Sequence, residues 1–381
     1  MTGLRSPTFL IALVLALGLG LPIALAQLDR QARSTPALSR FVPSGSGGFA
    51  DEQRARQALL TNPAMAESHV RNVVRSRPID GSHLSLLAIW AAETGHGEIA
   101  SRTLTEAARR GWRDTFVQIS VLASAVAQNN LLAAGQRLDA LARNGAGPGI
   151  LVPAMEVLLA ADGGDLAVAR HVAGSEDLRD GLVDYARQKP GSGRVVADII
   201  AVMPQFGSEL DCARRADIAR VLMQQGDAAV FDAWGSGCAK DSGRTLAFTF
   251  SENRSDPFAW NYQRGAGLSA IAGSSRGTAT LSNRTLLDKV VAWRFLALPV
   301  GPHVIAVSAS AEAERHPIDP LRAKLQLFVK CLGEGKPGHS TLASAANPKT
   351  VAFTVPEGCV TQQLGIKLGR GRVDDLELFL Q

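Results

Sequence analysis

Aromatic residues make up only 5% of this 381-residue chain, and just two of them are Tyr. No run of five or more Lys or Arg occurs, and the few rings do not interleave with basic clusters. A nucleic-acid groove needs concentrated positive charge facing phosphates, so that class of partner is excluded. The net charge of +5 is scattered, as on a solvated basic surface. Catalytic signatures are missing as well. The histidines, His69, His83, His96, His171, His303, His316 and His339, form no H-E-x-x-H pair, and there is no G-x-S-x-G elbow, Walker loop or dinucleotide-binding glycine motif. The four cysteines include no C-x-x-C pair and no neighbouring Cys/His cluster, which argues against zinc. No catalytic residue, metal ligand or cofactor is therefore nominated, and the chain is expected to be non-enzymatic. Two alternatives stand beside this: a carbohydrate-active enzyme with dispersed carboxylates, and a purely structural spacer.

What is present is an ordinary globular composition, 46% hydrophobic and 20% charged, on a chain long enough for two full cores. Residues 1–28 form the clearest local signal. Arg5 precedes an apolar run from Phe9 to Leu21, Pro22 is expected to break it, and Ala24-Leu25-Ala26 offers small residues to a signal peptidase, with cleavage before Gln27. An uncleaved membrane anchor is the alternative, because Phe9–Leu28 carries no charge and about 20 such residues cross a bilayer core. Arg30, Arg33 and Arg40 follow, so flanking charge does not orient the segment. Both alternatives place the remainder outside the cytoplasm, periplasmic or anchored in the inner membrane and facing the periplasm. Residues 29–50 are expected to be a linker, since 34–50 (STPALSRFVPSGSGGFA) are dense in Ser, Gly and Pro without an apolar period.

Residues 51–242 have the texture of short helices. Leu84, Leu87, Ala88 and Ala91 form one stripe, Gly95 sits at a turn, and Ala100, Leu104, Ala107 and Ala108 form the next stripe. A step of about 34 residues earlier, Ala66, Val70 and Val73 take the second-helix positions, with Pro78 after them. The same step later brings Asn129 to a turn and Ala134 and Leu138 to the stripe, and a looser one brings Gly164 and Ala169. This spacing resembles the tetratricopeptide repeat over roughly 51–175. Gln118 and Trp112 depart from its usual large apolar and Pro positions. The resemblance implies a curved solenoid whose concave face binds a protein partner. Further helices are expected at Val195–Met203, Ala213–Gln224 and Ala228–Trp234.

From 243 to 381 the period shifts towards two. Strands are expected at Thr245–Phe250, Phe258–Gln263, Leu268–Ala272, Gly277–Leu281, Val290–Leu298, His303–Ser310, Leu325–Cys331, Thr350–Val355, Gln363–Leu368 and Val373–Leu380. Many short strands without intervening helices predict an antiparallel sandwich or jelly roll. The fold class is thus α then β: a signal or membrane helix, a helical solenoid, and a jelly-roll β-sandwich. The segments FAWNYQRGAGLSA (258–270), LALPVGPHVIAVSA (296–309), LQLFVKC (325–331), VPEGCVTQQLGIKL (355–368) and VDDLELFL (373–380) resemble the jelly-roll, carbohydrate-binding-like modules of bacterial envelope proteins. Ala259 stands where that pattern often has an acidic residue. The resemblance implies a glycan-facing role beside machinery that makes or exports a polysaccharide. An even cysteine count in an exported chain predicts two bridges, and of the three pairings Cys212–Cys238 with Cys331–Cys359 keeps each within its own region.

Phe258, Trp260 and Tyr262 alternate, so they share one side of a strand, and Trp293 and Phe295 do likewise. On an inner face such a row is core; on an outer face it stacks on sugar rings. The candidate glycan contacts are Trp260, Asn261, Tyr262, Gln263 and Arg264. Asp374, Asp375 and Glu377 are expected at a solvated terminal edge, with a structural calcium as the alternative. The glycosylation-like triplets at Asn253 and Asn283 are read as chance matches.

Overall fold

The computed structural model describes residues 7–45, 48–110, 113–234, 238, 246–250, 255–309, 325–333, 341–346 and 349–381, with side chains from residue 18 onward. Trp112, Asn253, His316 and His339 lie outside the described residues. The chain forms two compact units, Met1–Ala146 and Gly147–Gln381.

The first unit is helical. Its first helix, α1 (Pro7–Ala32), runs through Pro22 instead of ending there. An interior proline removes one i→i−4 bond and strains the preceding turn, but leaves the rest of the ladder intact. Among the described residues no helix is long and apolar enough to cross a membrane. The last turn of α1 is packed. Asp29 Oδ1 accepts from Ala50 N at 2.8 Å, and Ala32, Val42 and Ala50 form a small core flanked by Leu28 and Leu38. Residues expected as a linker are therefore folded, around a 3-10 turn at Pro36–Phe41. Three well-separated apolar residues buried over a long range leave no local period to read.

The hairpins follow: α2 (Gly48–Thr61) with α3 (Glu67–Ser76), α4 (Gly81–Glu93) with α5 (Gly97–Arg110), and α6 (Thr115–Ala127) with α7 (Leu131–Arg143). Gly95 and Asn129 sit in the tight turns between the paired helices, as the spacing predicts. Side chains close the N-termini: Asp80 accepts from Ser82 N at 3.0 Å, Asp114 from Val117 N at 2.9 Å and Asn130 from Ala133 N at 3.2 Å. Each such cap contributes about 1 kcal/mol. Val70, Val73, Ala91, Ala107, Ala134 and Leu138 are all fully buried. Gln118, an odd residue for its place, is also fully buried, and its side-chain oxygen accepts from Arg137 at 3.2 Å. Burial lowers the Arg137 pKa.

In the second unit, α8 (Pro148–Leu159), α9 (Gly164–Gly174), α10 (Glu176–Gln188), α11 (Gly193–Val202), α12 (Cys212–Gln225) and α13 (Val230–Trp234) precede a β-sandwich. The sandwich has ten described strands: β1 (Asn261–Tyr262), β2 (Leu268–Ala272), β3 (Ala279–Asn283), β4 (Lys289–Leu296), β5 (Gly301–Ser308), β6 (Leu325–Cys331), β7 (Thr341–Ala346), β8 (Thr350–Val355), β9 (Gln362–Leu368) and β10 (Gly371–Leu380). They form two five-stranded sheets, ordered β1-β4-β9-β6-β7 and β2-β3-β10-β5-β8, with every pairing antiparallel. Alternation explains the core. In β6, Leu325, Leu327, Val329 and Cys331 point inward, and in β8 Val351, Phe353 and Val355 do the same.

Two strand expectations need correction. Residues 246–250 are not a strand, and only Asn261–Tyr262 of the 258–263 segment pairs. Outside that pair, each segment is held by one backbone bond, Phe248 N to Gly277 O and Gln263 N to Val291 O, both at 2.9 Å, and by side-chain contacts. Conversely, β7 (TLASAA) has a single bulky apolar residue, Leu342, and no alternating pattern to announce it. It is an edge strand paired only with β6, where packing demands little of the side chains.

The helices and the sandwich of this unit meet at the end of α12. Thr361 Oγ1 donates to Met223 O at 2.8 Å in a buried bond, and Leu332 N donates to Thr361 O at 3.0 Å. Arg220 donates to Asp256 O at 3.0 Å, and Trp234 meets Phe258 edge-on with centroids 5.6 Å apart. Two disulfides brace this seam. Cys212–Cys238 ties the start of α12 to the chain beyond α13, and Cys331–Cys359 joins the two segments that touch α12. Each closes a loop worth about 3 kcal/mol in the chain-entropy model. They fit an oxidising compartment outside the cytoplasm.

Candidate functional site

The aromatic row does not lie on one exposed strand. Phe258 is 1% exposed and Trp260 6%, so both are core residues. Trp260 stacks on Phe248 with centroids 4.6 Å apart and donates from its indole nitrogen to Leu246 O at 3.3 Å. The Arg294 guanidinium of β4, itself buried, lies 5.6 Å from the Trp260 ring, a cation–π contact in a desolvated setting.

Tyr262 is half-buried and stacks almost parallel on Phe250, centroids 4.5 Å apart and planes 10° apart. Its hydroxyl donates to Thr249 O at 2.9 Å. Burial raises the phenol pKa well above its ordinary value, against the opposing charges of Arg294 and Arg264, so the group stays a donor. Two ring stacks, 248 on 260 and 250 on 262, thus clamp the 246–250 arm beside β1. The stacks add to a single backbone bond from the arm, Phe248 N to Gly277 O at 2.9 Å.

The clamp builds a groove of about 490 Å³ at the sandwich margin, walled by Phe250, Arg264, the exposed Ile271 and the backbone of edge strand β2. Arg264 is exposed, with its guanidinium 6.0 Å from the Tyr262 ring. Gln263 is exposed too, its N–H spent on Val291 O at 2.9 Å. Asn261 turns its amide to Ala259 O at 3.2 Å. The five candidate contacts therefore separate: Trp260 is internal, Tyr262 supports from behind, and Arg264 lines the groove. Phe250, the ring that faces the groove, was outside the candidate set. Its signal was the alternation Leu246, Phe248, Phe250.

No family model matches this chain, and no curated protein matches it.

A second aromatic surface lies on the outer face of the first sheet. Trp293, Gly365 and Phe328 are in register across β4, β9 and β6. The Phe328 ring lies on Gly365, where an added Cβ would come within 1.9 Å of it. Trp293 packs edge-on against Phe295, which is 1% exposed. Lys330 caps Phe328 at 5.0 Å.

Asp374 and Asp375 are not at a terminal edge. β10 is central in its sheet, and its register shifts between Val373 and Leu376. In this bulge Asp375 adopts a φ of +44°. Its carboxylate accepts from the hydroxyl of Ser274 at 2.7 Å, from Ser274 N and from Thr278 at 3.3 Å. Those bonds, led by Ser274, hold its pKa below the usual carboxylate value. Asp374 accepts from Thr280 at 3.2 Å and from Arg372 at 2.7 Å. These carboxylates latch a turn. Among the described residues no group of three or more His, Cys, Asp or Glu is placed to hold a metal. Asn283 is fully buried and its amide donates to Leu287 O and Leu368 O, both at 2.8 Å, so that triplet presents no sugar acceptor.

Proposed function

We propose that the chain is a non-enzymatic, exported or membrane-anchored envelope protein whose β-sandwich binds a glycan and whose tetratricopeptide-like helical hairpins engage a protein partner. The observation that carries this is the groove at Phe250 and Arg264. It joins an aromatic ring held rigid from behind to an exposed guanidinium beside an open sheet edge. A sugar ring offers an apolar face for the aromatic and hydroxyls for the arginine and strand backbone. Its supports are already ordered, so binding costs little further side-chain entropy. A role beside machinery that makes or exports a polysaccharide follows from that ligand class.

The test is affinity electrophoresis of the intact, oxidised chain in gels containing envelope polysaccharides of the host. Arg264→Ala should remove retardation without changing the melting temperature by more than about 3 °C, and Phe250→Ala should remove it while also costing the stability of the Phe250–Tyr262 stack. Trp260→Ala is unsuitable, because emptying a core position costs about 3–5 kcal/mol. Unchanged retardation in both groove variants would reject this site.

A further inference from the structure

In the first unit an open pocket of about 380 Å³ lies among the end of α1, the start of α2 and the connection from α3 to α4. Two guanidiniums lean on one ring there: Arg77 is 3.7 Å and Arg33 5.5 Å from the Phe49 centroid. A guanidinium stacked by its face keeps its in-plane N–H donors free. The acidic residues of the pocket are already engaged. Glu52 accepts from Arg56 at 2.6 Å and faces His83 Nε2 at 3.4 Å, and Asp80 caps α4 through Ser82. Neither Arg33 nor Arg77 has a carboxylate in ion-pair range among the described residues.

Three arginines against two carboxylates leave the pocket with surplus positive charge, which calls for an anion. The Glu52 and Asp80 oxygens on the same wall disfavour a dianion such as phosphate, while they and Ser82 suit hydroxyl groups. The volume matches one sugar ring.

We propose that this pocket binds one acidic sugar unit, a ring bearing a single carboxylate and several hydroxyls, with Arg33 and Arg77 supplying the donors for the carboxylate. The site is independent of the sandwich groove and would give the protein a second, charge-selective contact with an acidic glycan.

Isothermal titration of the intact chain with an oligogalacturonate, its methyl ester and inorganic phosphate tests this. The oligogalacturonate should bind, the ester should not, and phosphate should bind more weakly. Arg77→Gln and Arg33→Gln should each weaken binding by about tenfold or more, while Arg102→Gln, which removes an exposed guanidinium away from both sites, leaves it unchanged. Arg33 is exposed at the end of α1, so its variant carries the test should Arg77→Gln unfold. Equal binding of the ester, tighter binding of phosphate, indifference to Arg33→Gln, or no uptake of the oligogalacturonate would overturn the proposal.

Discussion

Gly226 ends α12 in the left-handed region, at φ +69°. A Cβ there would come within 2.5 Å of both Gly333 Cα and Leu332 O. Both are backbone atoms of the sandwich, so neither can swing aside as a side-chain tip would. Gly226→Ala thus carries two costs. Placing an L-residue in this conformation costs about 1–2 kcal/mol. Relieving the clash opens the seam, breaks the buried Thr361–Met223 bond and leaves its partners unsatisfied, for a further 1–3 kcal/mol or so. Together they amount to about 3 kcal/mol, or about 6–12 °C in melting temperature for a unit of this size. Gly207→Ala is the control. Its φ is +76°, but nothing lies within 4 Å of the added carbon, so only the conformational cost applies. Calorimetry of the two variants, disulfides intact, compares them directly. Equal losses would refute a close-packed seam between α12 and the sandwich.

Three further outcomes are expected. Non-reducing peptide mapping should recover the Cys212–Cys238 and Cys331–Cys359 peptides, and Cys331→Ser with Cys359→Ser should cost about 3 kcal/mol; cross-paired peptides would contradict this. His83, buried with Nδ1 3.2 Å from Arg77 O and Nε2 3.4 Å from Glu52, faces acceptors on both sides. Burial alone lowers its pKa, but the bonds to Glu52 and Arg77 O and the Asp80 and Glu52 charges outweigh it and raise it above 6.5. Its stabilisation is therefore full below pH 6.5 and lost as pH rises through the higher folded value. Glu52 behaves oppositely: burial raises it, but His83 and Arg56 together bring it below 4.5, so its contribution is present above pH 4.5 and lost as pH falls further. The melting-temperature gap between wild type and His83→Gln should shrink from pH 5.5 to pH 8.5 or so; a constant gap would show that folding leaves the pKa of the ring unshifted. Tyr262→Phe, which removes the hydroxyl bond to Thr249 O, should cost about 1 kcal/mol in urea unfolding; no change would mean that this bond adds nothing to the hold on the arm.

The helices were legible because their signals are local. Gly95 and Asn129 punctuate, and Val70, Val73, Ala107, Ala134 and Leu138 recur at helical spacing; all five are buried. Most strands were legible for the same reason, through the alternation of Leu325, Leu327 and Val329 or of Val351, Phe353 and Val355. The cysteine pairs followed from their distribution along the chain. What the sequence hid is non-local. The packing of Ala32, Val42 and Ala50 unites residues with no shared period. The arm 246–250 alternates like a strand yet is held by ring stacks, so its pattern misled while its aromatics were informative. The bulge at Asp374–Asp375 depends on the Ser274 turn, far away in the chain, and it moves both carboxylates off the faces a regular strand would give them. The groove needs Phe250 and β2 together, and no spacing connects them.

The glycan site proposed for the sandwich is the groove beside Phe250. Affinity electrophoresis of the intact, oxidised chain alongside Phe250→Ala and Arg264→Ala measures this most directly. Retardation of the wild type by an envelope polysaccharide and free migration of both variants are expected. Retardation of all three alike, or of none in any host polysaccharide, would contradict this site.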